Sequence, residues 1–143
     1  MTANLTPYLN FRDTAREAME FYRSVFGGEL DLRTFSELEA SEDPSEADKV
    51  MHSQLSIPGG LTLMGADVPN SMAYDGNHAQ IALSGDAADD ATLRGWWERL
   101  SDGAKILEPL TTAPWGDAFG MLVDKHGTTW LVNIAGEGEG NAA

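Results

Sequence analysis

His52, Gln54 and Ser56 alternate through "VMHSQLSI", His78 and Gln80 through "HAQ", and Phe119 and Met121 through "AFGML". In an extended strand, residues two apart share a face, so each set projects from one side of its strand. Imidazole and carboxamide groups offer hydrogen bonds, a general base or metal ligands, whereas a ring and a thioether grip a planar or irregular apolar molecule. Polar side chains alternating along an otherwise apolar hairpin are costly to bury without partners, so His52, Gln54 and Ser56 should meet water, another subunit or a ligand. His52 is therefore read as a hydrogen-bonding pocket residue. A satisfied structural histidine and a general base are the alternatives, the last needing a substrate proton within reach. Trp115, in "TTAPWGDAFG", is placed to cover a ligand from a loop. His78 reads as a strand-end residue, His126 as an exposed turn residue, and Trp96 and Trp97 as helix packing.

The elements that position these residues follow from periodicity. "TPYLNF" alternates as a half-buried strand. Thr14 and Glu17 have the spacing of a capping box, and Ala15, Ala18, Met19, Tyr22, Val25 and Phe26 then fall on one helical face, ended by Gly27 and Gly28. A strand around Leu30 to Phe35 leads into "SELEASEDPSEADK", which is acidic, lacks an apolar period and reads as an exposed loop. Strands near Val50 to Ile57 and Leu61 to Gly65 flank Pro58-Gly59-Gly60, a hairpin turn. The second half repeats this order: "HAQIALS" as a strand, Leu93, Trp96, Trp97 and Leu100 as a helical stripe stopped by Gly103, "AKIL" as a short strand, and a hairpin turning near His126-Gly127. Tyr22 with Gly28 matches Trp97 with Gly103, and Gly60 matches Gly127. The pattern predicts an α+β fold in which a βαβββ module occurs twice.

Alternation sorts the strands into two faces. Leu9, Phe11, Leu55, Ile57, Leu61, Leu63, Ile81 and Leu83 are expected under the helices. Thr6, Tyr8, Asn10, His52, Gln54, Ser56, Thr62, Met64, His78, Gln80, Ala82, Phe119, Met121, Thr129, Leu131 and Asn133 are expected on the opposite face.

Length and composition narrow the function. A chain of 143 residues can bury roughly two-thirds of its unfolded surface. With no cysteine, disulfides, thiolate zinc sites and cysteine nucleophiles are excluded. Nine basic against 23 acidic residues give a formal charge of −14, which disfavours nucleic acid and anionic membranes and suits a neutral or cationic ligand, or serves solubility alone. The N-terminal segment lacks a secretion signal and no apolar run spans a bilayer, so a cytoplasmic location is expected. There is no G-x-S-x-G elbow, no glycine-rich phosphate loop, and no glycine-rich strand-turn to hold S-adenosylmethionine.

"PYLNF" followed by "EAMEFYRSVFGGEL", "DKVMHSQLSI" before "LTLMGAD", and "FGMLVDKHGTTWLVNI" resemble the PhnB-like branch of the vicinal oxygen chelate superfamily, which includes glyoxalase I, extradiol dioxygenases and bleomycin and fosfomycin resistance proteins. The resemblance spans nearly all of residues 5 to 135. It implies one domain over residues 1–136, made of modules at about 5–66 and 77–135 whose curved sheets enclose a cleft, commonly completed in a homodimer. The polar tail, residues 137–143, is expected to be mobile. Metal-dependent members carry His, Glu or Gln on the first and last strand of each module; matching that pattern puts Gln80, Leu131, Met64 and Thr6, or Pro7 in a shifted register, at those positions. Met64 and Leu131 offer a divalent ion neither imidazole nor carboxylate.

The expected function is therefore a homodimeric small-molecule binding protein without the usual metal centre and with no resident cofactor, its ligand held by His52, Gln54, Met64, Gln80, Trp115, Phe119 and Met121. The alternative is a lyase, isomerase or dioxygenase acting on a vicinal-oxygen substrate through a divalent metal held by an unconventional set around His52, His78 and Gln80. A chiefly structural or regulatory dimer is the third reading.

Overall fold

The computed structural model describes residues 3–39 and 41–136. The chain divides into two compact units, Met1–Asn77 and His78–Ala143. The expected mobile tail, 137–143, lies outside the described residues.

In the first unit, β1 (Tyr8–Phe11) is followed by α1 (Ala15–Phe26), β2 (Glu29–Thr34), a 3-10 turn at Pro44–Glu46, β3 (Val50–Ile57) and β4 (Leu61–Asp67). The sheet order is β1-β4-β3-β2, with β1 parallel to β4 and the other pairs antiparallel. All six residues of the expected helical stripe, Ala15, Ala18, Met19, Tyr22, Val25 and Phe26, are buried. They cover a sheet face carrying Leu9, Phe11, Leu55 and Leu63. Gly65 allows this close approach, because a Cβ there would stand 2.9 Å from the Met19 sulfur. Leu61, expected on the buried face, is 47% exposed because it opens β4 at the hairpin turn.

The capping box is corrected. Thr14 is the N-cap residue of α1, but its side chain makes no cap hydrogen bond. Asp67 takes that role from the end of β4: its Oδ1 accepts from Ala15 N–H at 3.0 Å and its Oδ2 from Val50 N–H at 2.9 Å. One buried carboxylate thus satisfies a helix terminus and a strand start together.

The acidic segment after β2 is also more than an exposed loop. Glu46 and Lys49 are buried within it. Glu46 accepts from Ser41 Oγ at 2.6 Å and Asn70 N–H at 2.5 Å, and Lys49 Nζ donates to Asn70 Oδ1 at 2.9 Å and pairs with Asp13 at 2.6 Å. These contacts stitch the segment to the chain that follows β4.

The second unit repeats the plan: β5 (Gln80–Gly85), α2 (Asp90–Leu100), β6 (Lys105–Thr112), β7 (Ala118–Val123) and β8 (Thr129–Ile134), in sheet order β5-β8-β7-β6. Leu93, Ala118, Val132 and Ile134 form its buried cluster, with Leu83, Leu110, Trp96 and Trp97 packed against it. Gly120 admits the Trp97 ring, since a Cβ there would lie 2.8 Å from it. Asp124 braces the β7–β8 turn, accepting from His126 and Thr128 N–H at 2.7 and 3.2 Å and from the Trp130 indole at 2.7 Å. β6 runs to Thr112, well past the expected "AKIL"; it is an edge strand, where Pro109 removes no interior ladder bond.

Candidate functional site

Each sheet turns one face away from its helix, and the predicted polar and apolar sets lie on those faces. In the first unit, register places Tyr8 beside Met64, Met64 beside Gln54, and Gln54 beside Asp31. His52 stands opposite Arg33 on the edge strand. The Tyr8 and His52 rings face each other with centroids 6.3 Å apart and planes inclined by 31°. His52, Gln54 and Met64 are half-buried, and Tyr8 is exposed over about half its surface. The side chains of Tyr8, Asn10, His52 and Gln54 hydrogen-bond to no other group among the described residues. Partial burial raises the Tyr8 phenol above its usual pKa, so it remains a neutral donor through physiological pH.

In the second unit, Ala82, Leu131 and Met121 form one row across the sheet, and Ser84, Asn133 and Phe119 the next. Gln80 opens β5 opposite Thr129. Phe119 is 39% exposed and Met121 is half-buried. Trp115 stands 77% exposed in the β6–β7 turn, which is closed by Ala113 N–H to Asp117 O at 2.7 Å and Gly116 N–H to Ala113 O at 2.9 Å. The predicted residues are therefore gathered as two sets. His52, Gln54 and Met64 share the first unit's open face; Gln80, Phe119 and Met121 share the second's, with Trp115 on the adjoining turn.

A concavity of about 390 Å³ opens in the first unit at the far ends of β1 and β4. Tyr8, Asn10, Phe35, Met51, Met72 and Glu46 are among its lining residues. None of the predicted ligand-binding residues lines it, and Tyr8 links it to His52. Tyr8 and Asn10 had the alternation signal; Met51 and Met72 had none. Met51 falls at a register shift between β2 and β3, and Met72 lies in an irregular segment, so neither follows a period. A smaller concavity in the second unit, about 360 Å³, is lined by Asp90, Arg94, Thr112 and Gly116, with Arg94 already paired to Asp90 at 3.0 Å.

The positions implied for a metal do not fit a hard or borderline divalent ion. Those positions are held by Thr6, Met64, Gln80 and Leu131, with Tyr8 beside Met64 and Thr129 beside Gln80 in the register. A hydroxyl, a thioether, a carboxamide and an alkyl chain, with neither imidazole nor carboxylate among them, are a poor donor set for such an ion. Among the described residues, no group of three or more His, Cys, Asp or Glu is arranged to hold one. His52 belongs to the first unit, and His78 and Gln80 to the second.

Comparison with known proteins agrees with the repeated module. Protein YjdN of Escherichia coli K12 is 24% identical over 141 residues, covering 91% of this chain and 94% of its own. The crystal structure of PA1353 from Pseudomonas aeruginosa superposes with a TM-score of 0.76 at 30% identity, covering 94% of this chain and 98% of that one. The PhnB protein from Bacillus cereus shares the fold with a TM-score of 0.65 at 23% identity, covering 93% of this chain and 100% of its own. The Glyoxalase/Bleomycin resistance protein/Dioxygenase superfamily model matches residues 5–132. Because that match spans most of the chain, and the paired βαβββ modules agree with it, this chain belongs to that superfamily.

Proposed function

We propose that this protein is a small-molecule binding member of its superfamily, acting as a homodimer in the cytoplasm with its two units as one domain, and without the divalent-metal centre of its enzymatic relatives. The observation that carries the reading is the first unit's open face: Tyr8 and His52 ring to ring, beside Gln54 and Met64, with side-chain polar groups that hydrogen-bond to no other group among the described residues. Such a surface offers three hydrogen-bonding side chains, two of which form an aromatic pair, and a thioether, a combination suited to recognising a ligand rather than filling a core. In the second unit, Gln80, Phe119, Met121 and the exposed Trp115 supply a more apolar surface.

A fragment library titrated into ¹⁵N-labelled full-length protein tests this. Hits should move the amide resonances of His52 and Gln54, and the His52→Ala/Phe119→Ala variant should lose those shifts while remaining folded. Hits that leave both residues unmoved would remove the open face from the argument. The rival reading, a metal-dependent lyase, isomerase or dioxygenase, predicts stoichiometric metal in purified protein that His52→Ala releases. The donor set present favours the binding protein.

A further inference from the structure

We propose that the first unit's concavity binds a small aromatic amine, with apolar contacts from Met51, Met72 and Phe35, hydrogen bonds from Tyr8 and Asn10, and charge complementarity from Glu46. This deepens the proposed function and rests on it, because Tyr8 belongs both to the open face and to the concavity.

The chamber is built by a strap. Residues 69–74 cross the end of β1, held by the Arg12 guanidinium, which donates to the carbonyls of Pro69 at 3.4 Å and of Met72. Arg12 Cζ also lies 5.7 Å from the Tyr74 ring centroid, and Tyr74 OH donates to Asn10 O at 3.2 Å. Asn70, bonded to Glu46 and Lys49, anchors the strap to the opposite wall. The half-open concavity, about 390 Å³, falls in the range that small-ligand sites occupy.

Its lining selects by charge. Glu46 and Asp67 are present, with no lysine, arginine or histidine. Glu46 is held below the usual carboxylate range by the Asn70 N–H and Ser41 hydroxyl, so it is ionised at neutral pH. The neighbouring cations lie outside this lining: Lys49 pairs with Asp13 and Asn70, and Arg12 donates to the strap carbonyls. The lining carboxylates repel an anionic ligand and attract an ammonium group. The apolar half selects by shape, since Met51 is 39% and Met72 55% exposed, and flexible thioethers pack well against an aromatic ring. The Tyr8 hydroxyl and Asn10 carboxamide, free of protein partners among the described residues, remain to accept an N–H.

The test titrates ¹⁵N-labelled full-length protein with phenethylamine, phenethyl alcohol and phenylacetate. Phenethylamine should shift the amides of Asn10, Met51 and Met72 saturably, the alcohol should bind about fivefold more weakly, and phenylacetate should not bind. Glu46→Gln should bring the amine down to the alcohol's affinity. Met72→Ala, which leaves the anchoring network intact, should weaken amine and alcohol alike, so the proposal stays testable if Glu46→Gln does not fold. Binding of phenylacetate as tightly as the amine would overturn the proposal. So would amine-induced shifts confined to His52 and Gln54, although that outcome would retain the open-face function. Shifts in neither set, with this series and with the fragment library, would overturn both.

Discussion

Asp67 shows how one side chain ties distant segments together. Its two oxygens satisfy the N–H groups of Ala15 and Val50, which lie 52 and 17 residues away. Asp67→Ala would leave both donors buried and unpaired, and we expect a loss of about 3 kcal/mol in urea unfolding. Asp67→Asn should cost about 2 kcal/mol, since its amide oxygen keeps one donor while its NH₂ opposes the other. A change within about 0.5 kcal/mol for the alanine variant would show that the bridge is not structural. Nothing in "LMGAD" announces this role. A local rule assigns the cap to Thr14, because sequence spacing sees i to i+3 partners and is blind to one brought from another strand. The site divides along the same line. His52, Gln54, Met64, Phe119 and Met121 reach the open faces because a period of two fixes their side in any straight strand. Met51 and Met72 enter the concavity through a register shift and a strap, which have no period to read.

At the scale of elements, glycine separates steric from conformational cost. Gly28, just after α1, has φ +98°, and a Cβ there would lie 2.0 Å from the Ser56 carbonyl oxygen. Gly59, in the β3–β4 turn, has φ +97° with open space around it. Gly59→Ala should therefore cost about 1 kcal/mol, the left-handed penalty alone, while Gly28→Ala should exceed about 3 kcal/mol or fail to fold. Equal effects would mean that β3 can move away from Gly28. The helices were legible to different degrees: every expected inward residue of α1 is buried, but in α2 only Leu93 and Leu100 are, with Trp96 and Trp97 half-covered. A stripe gives the direction of a helix face, whereas the depth of burial depends on what the sheet places beneath it. The loop between β2 and β3 carries a pH prediction. Because hydrogen bonds lower the Glu46 pKa in the folded state, the unfolded chain binds more protons as the medium acidifies through the carboxylate range. Its stabilisation is present above the unfolded value, near pH 4.3, and is lost as pH falls through the folded value. Chemical unfolding followed downward from pH 6 should show a shallower acid loss for Glu46→Gln than for the unmodified protein; identical slopes would detach Glu46 from acid stability.

For the whole molecule, the repeat and the charge were the most legible features, because both are summed over many residues and survive local exceptions. Two βαβββ units follow from matched offsets such as Tyr22 with Gly28 and Trp97 with Gly103, and each unit forms its own four-stranded sheet. The function was not legible, since a fold shared by enzymes and binding proteins specifies a scaffold and leaves chemistry to a few side chains. The charge of −14 has a consequence independent of any ligand. Self-repulsion among 23 acidic residues is stronger in the compact state than in the expanded one, and salt screens it over a Debye length of about 10 Å at 0.1 M. Raising NaCl from about 0.01 M to about 0.5 M should therefore stabilise the fold by about 1–2 kcal/mol, an increase in Tm of roughly 3–8 °C for a chain of this size. Chloride is the right anion for the test, because sulfate would strengthen apolar burial as well and confuse the cause. The same salt should weaken phenethylamine binding, since screening that relieves repulsion also weakens attraction for a cation. A Tm that rises while amine affinity falls identifies one field acting on both. A flat or falling Tm would mean that the few surface ion pairs, such as Arg94 with Asp90 and Lys125 with Asp102, outweigh the net repulsion.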